Sequence, residues 1–117
     1  MTNTERIADI YKMLGEGKAM DAFEKYYHQD VVMEEIGEAK RVGKDANREY
    51  EIKFFSMVKE VHGGGVDAIT SDDANNVTMV ENWMEVTFQD GNRIRMEQVA
   101  VQRWKDGLII HEKFYHK

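Results

Sequence analysis

The sequence has no cysteine and no proline. Without a thiol there is no disulfide framework, no thiolate metal site and no cysteine nucleophile, and the absence fits a reducing cytoplasm. No apolar run approaches the roughly 18 to 20 residues of a membrane span. Met1 to Ile7 holds no basic stretch leading into an apolar core, so no secretory signal is expected. Basic residues are in deficit, with 16 Lys and Arg against 22 Asp and Glu for a net charge of −6. A phosphate backbone calls for a basic stripe, so nucleic acid is disfavoured as the main partner. Low-complexity segments, internal repeats and linkers are missing as well. A chain of 117 residues is then expected to be one domain, 1–117, burying roughly two-thirds of its unfolded surface. The expected setting is cytoplasmic, with no membrane, nucleic-acid or cofactor partner.

What is present begins with a helix start. Thr2 and Glu5 form a Thr-x-x-Glu capping box, and Ile7, Ile10, Tyr11 and Leu14 follow helical spacing until Gly15 and Gly17. A short helix is predicted from Lys18 to Tyr27 with Ala19, Ala22, Phe23 and Tyr26 as its stripe. Val31, Val32 and Met33 begin a short strand reaching Ile36. A long helix, Asp45 to Val61, carries Tyr50, Phe54, Met57, Val58 and Val61 on its main face, broadened by Ile52 and Phe55, and is expected to be well buried. Gly63-Gly64-Gly65 reads as a flexible break, and Val66 to Ser71 as a strand.

The C-terminal third is the most regular part. Three apolar-alternating runs, Val77 to Phe88, Arg93 to Trp104 and Leu108 to His116, are joined by two Asp-Gly corners, a strong hairpin signal. The order predicts an α+β fold with helices on one face of a mostly antiparallel sheet. If Asp90-Gly91 is a two-residue turn, Glu81 lies opposite Ala100 and Trp83 opposite Gln98. If Trp104 faces Leu108, then Glu112 also lies opposite Ala100 and Phe114 opposite Gln98. Strand side chains alternate between faces. One face would then hold Met79, Glu81, Trp83, Met96, Gln98, Ala100, Gln102, Trp104, Glu112 and Phe114, and this face is taken as concave because it carries both tryptophans. Two carboxylates there, Glu81 and Glu112, could not both stay ionised without partners, and one would gain a raised pKa suited to acid–base work. The alternatives are neutralisation by Arg41, Arg48 or a lysine, or a bulge that returns one to solvent. The other face is also apolar enough for a sheet-to-sheet homodimer. His111 and His116 face opposite ways on one strand and make no metal pair.

The ordered set of Ala22-Phe23-Glu24-Lys25-Tyr26-Tyr27, Asp30-Val31-Val32-Met33-Glu34-Glu35, Gly43-Lys44-Asp45-Ala46 and Arg103-Trp104-Lys105-Asp106-Gly107-Leu108-Ile109 resembles the nuclear transport factor two-like superfamily, nearest its SnoaL-like and ketosteroid-isomerase-like branch. The resemblance implies a cone: a curved sheet wrapped around the long helix, with two shorter N-terminal helices and a pocket at the open end (a cystatin-like α+β roll), often paired as a dimer. It places Glu35 where isomerase-like members hold a proton-abstracting aspartate. It puts Ile10, with Tyr11 adjacent, at their tyrosine donor, and Ala100 at their protonated aspartate, so steroid isomerisation by that route lacks a donor. The expected pocket residues are Tyr11, Phe54, Trp83, Met96, Gln98, Ala100, Gln102 and Phe114, with Glu35, Glu81 and Glu112 as candidate acid–base groups. Three functions fit: a binder of a small apolar, polyketide- or steroid-like ligand; a proton-transfer enzyme of isomerase or cyclase type; and a non-catalytic dimeric or ligand-storage module with a filled pocket.

Overall fold

Thr2 caps the first helix, α1 (Asn3–Gly15), through the reciprocal box its sequence announces: its hydroxyl accepts from Glu5 N–H and its own N–H donates to the Glu5 carboxylate. The structure is a computed structural model and describes residues 1–116. After α1 come α2 (Ala19–Tyr26), β1 (Tyr27–Glu35), β2 (Arg41–Val42), α3 (Lys44–Met57), β3 (Val58–Asp72), a 3-10 turn (Asp73–Asn75), β4 (Val77–Phe88), β5 (Arg93–Lys105) and β6 (Leu108–Tyr115). The six strands form one sheet in the order β2-β1-β6-β5-β4-β3. β1 runs parallel to β6, and every other neighbour pair is antiparallel. This is the α+β layout that the order of elements predicted and the cone that the resemblance implied.

The inner face of the sheet is covered at one end by α1 and α2. Ile7 and Ile10 from α1 and Ala22, Phe23 and Tyr26 from α2 pack with Val31, Met33, Val80, Trp104 and Ile109 in one buried cluster. Phe23 and Tyr27 stack with ring centroids 4.8 Å apart. α3 lies against β1 and β2, pinned by Asn47, which is fully buried. The Asn47 amide donates to the carbonyls of Gly43 (2.8 Å) and Arg41 (3.0 Å), and its oxygen accepts from Arg41 Nε (3.2 Å). The side chain thereby ties the β2–α3 junction together through backbone carbonyls on both sides of it.

Two expected elements differ. The long helix stops at Met57, and Val58 to Val61 belong to β3, whose fifteen residues run straight through Gly63-Gly64-Gly65. β-branched Val58 and Val61 favour the strand, and the glycines are held rather than free because the Trp83 indole lies over them. α3 is also less buried than its composition suggested: Ile52 is 54% and Met57 45% exposed.

The register of β4 is displaced by one residue from the two-residue-turn expectation. Phe88 N–H donates to Asn92 and Gly91 N–H to Phe88, closing a three-residue loop, Gln89-Asp90-Gly91. Only Gly91 there has positive φ (90°), so the corner is not the type I′ turn that Asp-Gly suggested. Glu81 therefore pairs with Val99, Trp83 with Glu97 and Val80 with Ala100. At the other corner both Asp106 (φ 52°) and Gly107 (φ 78°) are left-handed, and Lys105 pairs with Leu108 in the two-residue turn.

Candidate functional site

Thr78, Gln102 and Glu112 form one row across the inner face, because β4 pairs Thr78 with Gln102 and β5 pairs Gln102 with Glu112. All three are buried, at 0%, 0% and 2% exposure. Trp104, two residues along β5 from Gln102, points to the same side and donates from indole Nε1 to Thr78 Oγ1 at 2.9 Å. The Thr78 hydroxyl donates to Gln102 Oε1 (2.8 Å), and Gln102 Nε2 donates to Glu112 Oε2 (2.7 Å). Tyr27 stands where α2 passes into β1, and its phenol donates to the other carboxylate oxygen of Glu112 at 2.5 Å. A buried carboxyl is thus gripped by two donors, one of them the end of a side-chain relay.

Around this row the other helices supply polar groups. Burial is the main force raising the Glu112 pKa, opposed by the bonds from Tyr27 and Gln102 and by the charge of Arg41. Glu51, on the inward side of α3, is pushed up to about 7, first by burial, then by the charges of Glu112 and Glu35, with Arg41 opposing. Glu35 at the end of β1 is raised by burial and by a hydrogen bond with Glu38, against the pull of Arg41 at 3.8 Å. Among the described residues Arg41 is the one cation acting on all three carboxyls, and its guanidinium is stacked 3.7 Å from the centre of the Tyr50 ring. Tyr11 and Tyr27 both have their phenol pKa raised, by burial first and then by the charge of Glu112, so both stay protonated and can donate. Tyr11 is hydrogen-bonded with Asn82. Asn82 in turn accepts from Gln98 Nε2 at 3.2 Å.

The residues expected from sequence fall into two groups. Tyr11, Gln98, Ala100, Gln102 and Glu112 meet in the cone interior, with Phe114 packed against the core and Met96 opposite Met84 nearer the open end. Phe54 sits on α3, edge-on to Phe88 at 6.0 Å. Glu35 lies at the rim, hydrogen-bonded by Tyr50 (3.3 Å) and paired with Arg41. Glu81 and Trp83 do not join them. The one-residue slip of β4 turns both outward, so Glu81 is exposed, and Trp83 covers the β3 glycines with the Arg95 guanidinium 4.0 Å from its ring centre. Met79, assigned to the same face, is likewise outward and 43% exposed. Thr78, Asn82 and Tyr27 were missed for the same reason or because Tyr27 was read as the end of a helix. Glu51 had a visible signal: with Asn47, Phe54 and Phe55 it holds the i, i+4, i+7, i+8 positions of a helix face, where an acid is out of place.

β6 leaves β5 after the pair Val99–Tyr115, and an open cleft of about 570 Å³ lies there. Its walls are formed by Ile36 and His116, by Asp67, Glu81, Glu97, Val99 and Tyr115, and by Asn82 and Gln98, so the cleft runs along the sheet edge where outer-face and inner-face residues meet. On the outer face of the sheet a smaller depression of about 260 Å³ is lined by Ala68, Thr70, Met79, Glu81 and Val99. Among the described residues no group of three or more His, Asp or Glu side chains is placed to hold a metal ion, and no helix is long and apolar enough to cross a membrane.

The sequence matches the family model of the SnoaL-like domain over residues 1–116. No curated protein matches it significantly in sequence. Among solved structures, a candidate SnoaL-like polyketide cyclase from Mesorhizobium loti, also labelled a carbohydrate phosphatase, superposes with a TM-score of 0.86 at 29% identity, covering 99% of this chain and 100% of that one. A candidate polyketide cyclase from Pseudomonas putida gives 0.85 at 16% identity over 100% of this chain and 92% of its own. An LEH-like epoxide hydrolase from M. tuberculosis gives 0.79 at 15% identity over 98% and 82%. At such identities the last two show a shared fold alone.

Proposed function

The chain belongs to the SnoaL-like domain family, and from that premise we propose that it binds a small, largely apolar ligand bearing a carbonyl or enol oxygen, of polyketide or steroid type, and moves a proton on it. The observation that carries this reading is the pair of carboxyls in the cone interior. Glu112 is buried and held by Tyr27 and Gln102, and the Glu51 carboxyl on α3 is pushed up to about 7 by burial and by the charge of Glu112. A carboxyl poised near neutral pH can take a proton from an activated carbon and return it elsewhere. The protonated phenol of Tyr11, with Asn82 and Gln98 beside it, is a donor for the oxygen on which negative charge would develop. Among the described residues Arg41 is the cation shared by Glu35, Glu51 and Glu112, with His116 4.0 Å from Glu35, which favours one of the three holding a proton at rest, and Glu51 is the group least supported by hydrogen bonds. The cleft at the sheet edge touches Asn82 and Gln98 of that network, and on this reading a ligand enters there, past Ile36 and His116. Likeness to a candidate polyketide cyclase at 29% identity supports the ligand class.

The test is proton–deuterium exchange followed by NMR. Short 1,3-dicarbonyl chains and steroid enones are incubated with the protein in deuterated buffer. Exchange or isomerisation of at least one class is expected, falling about 100-fold or more in both Glu51→Gln and Glu112→Gln while ligand binding persists. Binding without exchange would leave the ligand-storage function in its place, and no binding of either class would end the reading.

The same reading extends to assembly: a second copy of this chain is proposed to cover the outer sheet face. That face joins exposed Met79, Val99 and Tyr115 with acids (Glu81, Glu97) and bases (Arg103, Lys113), a mixture that can complement itself about a two-fold axis.

A further inference from the structure

We propose that Thr78 and Trp104 are positioning residues: by fixing which way the Gln102 amide points, they hold its N–H toward Glu112 and keep that carboxyl an acceptor. The inference rests on Glu112 being the acid–base carboxyl of the cone, but its test needs neither ligand nor turnover.

The argument follows from what each group can give. An indole N–H only donates. Trp104 Nε1 at 2.9 Å therefore makes Thr78 Oγ1 an acceptor, which leaves the single hydroxyl proton of Thr78 to be placed. Thr78 and Gln102 are both fully buried, and a stranded donor is costly there, so the proton goes to the oxygen 2.8 Å away, Gln102 Oε1. With its oxygen occupied, Gln102 presents only N–H to Glu112 Oε2 at 2.7 Å. The reversed amide would turn its oxygen to Glu112, and that contact forms a hydrogen bond only if Glu112 carries a proton. The amide of Gln102 thus has two orientations, each matched to one protonation state of Glu112. The Trp104–Thr78 pair, with no direct contact to the carboxyl, selects the one that suits the carboxylate. Tyr27 favours the same state from the other side.

The groups facing Glu112 are Tyr11 on α1, Tyr27 on β1, Arg41 on β2 and Glu51 on α3. None of them is hydrogen-bonded to Thr78 or Trp104, although Tyr27 and Tyr11 pack in the same core cluster as Trp104, which makes Thr78→Val the cleaner of the two substitutions.

The experiment is a carbon-13 NMR titration of glutamate side-chain carboxyls in the ligand-free full chain. In Thr78→Val and Trp104→Phe the amide is free to reverse, and the Glu112 midpoint is expected to rise by about one pH unit, the worth of one hydrogen bond to a charged group. Thr78→Ser keeps the hydroxyl and is expected to keep the wild-type midpoint. A purely structural role gives the opposite sign: a loosened core admits water, and since burial holds the Glu112 pKa up, hydration lowers it. An unchanged or lowered midpoint in both variants overturns the proposal. Should both variants fail to fold, the wild type still decides. Above the Glu112 midpoint, nuclear Overhauser contacts from the Gln102 amide protons to the Tyr27 ring support the assignment, and contacts to the Thr78 methyl instead overturn it.

Discussion

Glu51 illustrates how a single side chain links chemistry to stability. In the unfolded chain its carboxyl gives up its proton near the ordinary 4.5, whereas in the folded protein it keeps the proton to about 7. Between these values the folded state binds more protons than the unfolded state. The contribution to stability is complete below about 4.5 and is lost as pH rises through about 7. The full difference is roughly 3 kcal/mol, an upper bound for a half-buried side chain. Glu51→Gln resembles the protonated form at every pH. The variant is therefore expected to match wild type at about pH 4 and to exceed it by about 1 to 3 kcal/mol at about pH 8, as read by urea unfolding. Equal stabilities at the higher pH would mean that Glu51 ionises without strain, and with that it would lose its claim to carry a proton near neutrality. Glu35, the acid that position in the chain singled out, has a smaller claim. Arg41 and Tyr50 both hold it at the rim.

At the scale of elements the two hairpins explain most of what the sequence disclosed and what it hid. Both corners contain Asp-Gly, yet one is a three-residue loop with a single left-handed glycine and the other a two-residue turn with two left-handed residues. Dipeptide identity does not separate these cases, and a difference of one residue turns every side chain of β4 over. That is why Glu81 and Trp83 were expected inside and stand outside. β6 escaped the same fate by compensation. Its turn is one residue shorter than expected, but a bulge between Arg103 and Trp104 restores the alternation, so Glu112 and Phe114 still face inward. The misplaced tryptophan has its own purpose in β3. The Trp83 ring lies against Gly63 and Gly65, glycines that would otherwise weaken the strand, and a Cβ at Gly65 would sit 2.8 Å from its Nε1. The ring is fixed from the other side by Arg95, so it cannot yield cheaply. Gly65→Ala is expected to cost about 1 to 3 kcal/mol by chemical denaturation. In a Trp83→Ala background, where the clash is gone, most of that cost should vanish. Equal costs in the two backgrounds would rule out the ring as the reason for the glycine.

At the scale of the whole molecule, the cone divides the sheet into two chemistries. The inner face spends its apolar area on the α1–α2 core and leaves a buried polar row, whereas the outer face has no helix over it. Alternation along β4 and β5 made a second apolar face readable from the sequence, although the slip exchanged which β4 residues lie on it. Met79, Val99 and Tyr115, at 43%, 36% and 44% exposure, stand among charges of both signs there. Isolated exposed apolar residues need no explanation, but a contiguous sheet face edged by complementary charges is what a two-fold contact requires. In sedimentation equilibrium at micromolar concentration the chain is expected at twice its 13.7 kDa mass. Met79 lines the depression in that face, so Met79→Arg sets a charge where desolvation would be greatest and should return the protein to monomer. The interior is separated from this face by the thickness of the sheet, so Glu112 in the monomeric variant should titrate as in wild type. A wild type that sediments as a monomer would show that the outer face is simply solvated. A dimer unmoved by Met79→Arg would mean that the two copies meet on some other surface.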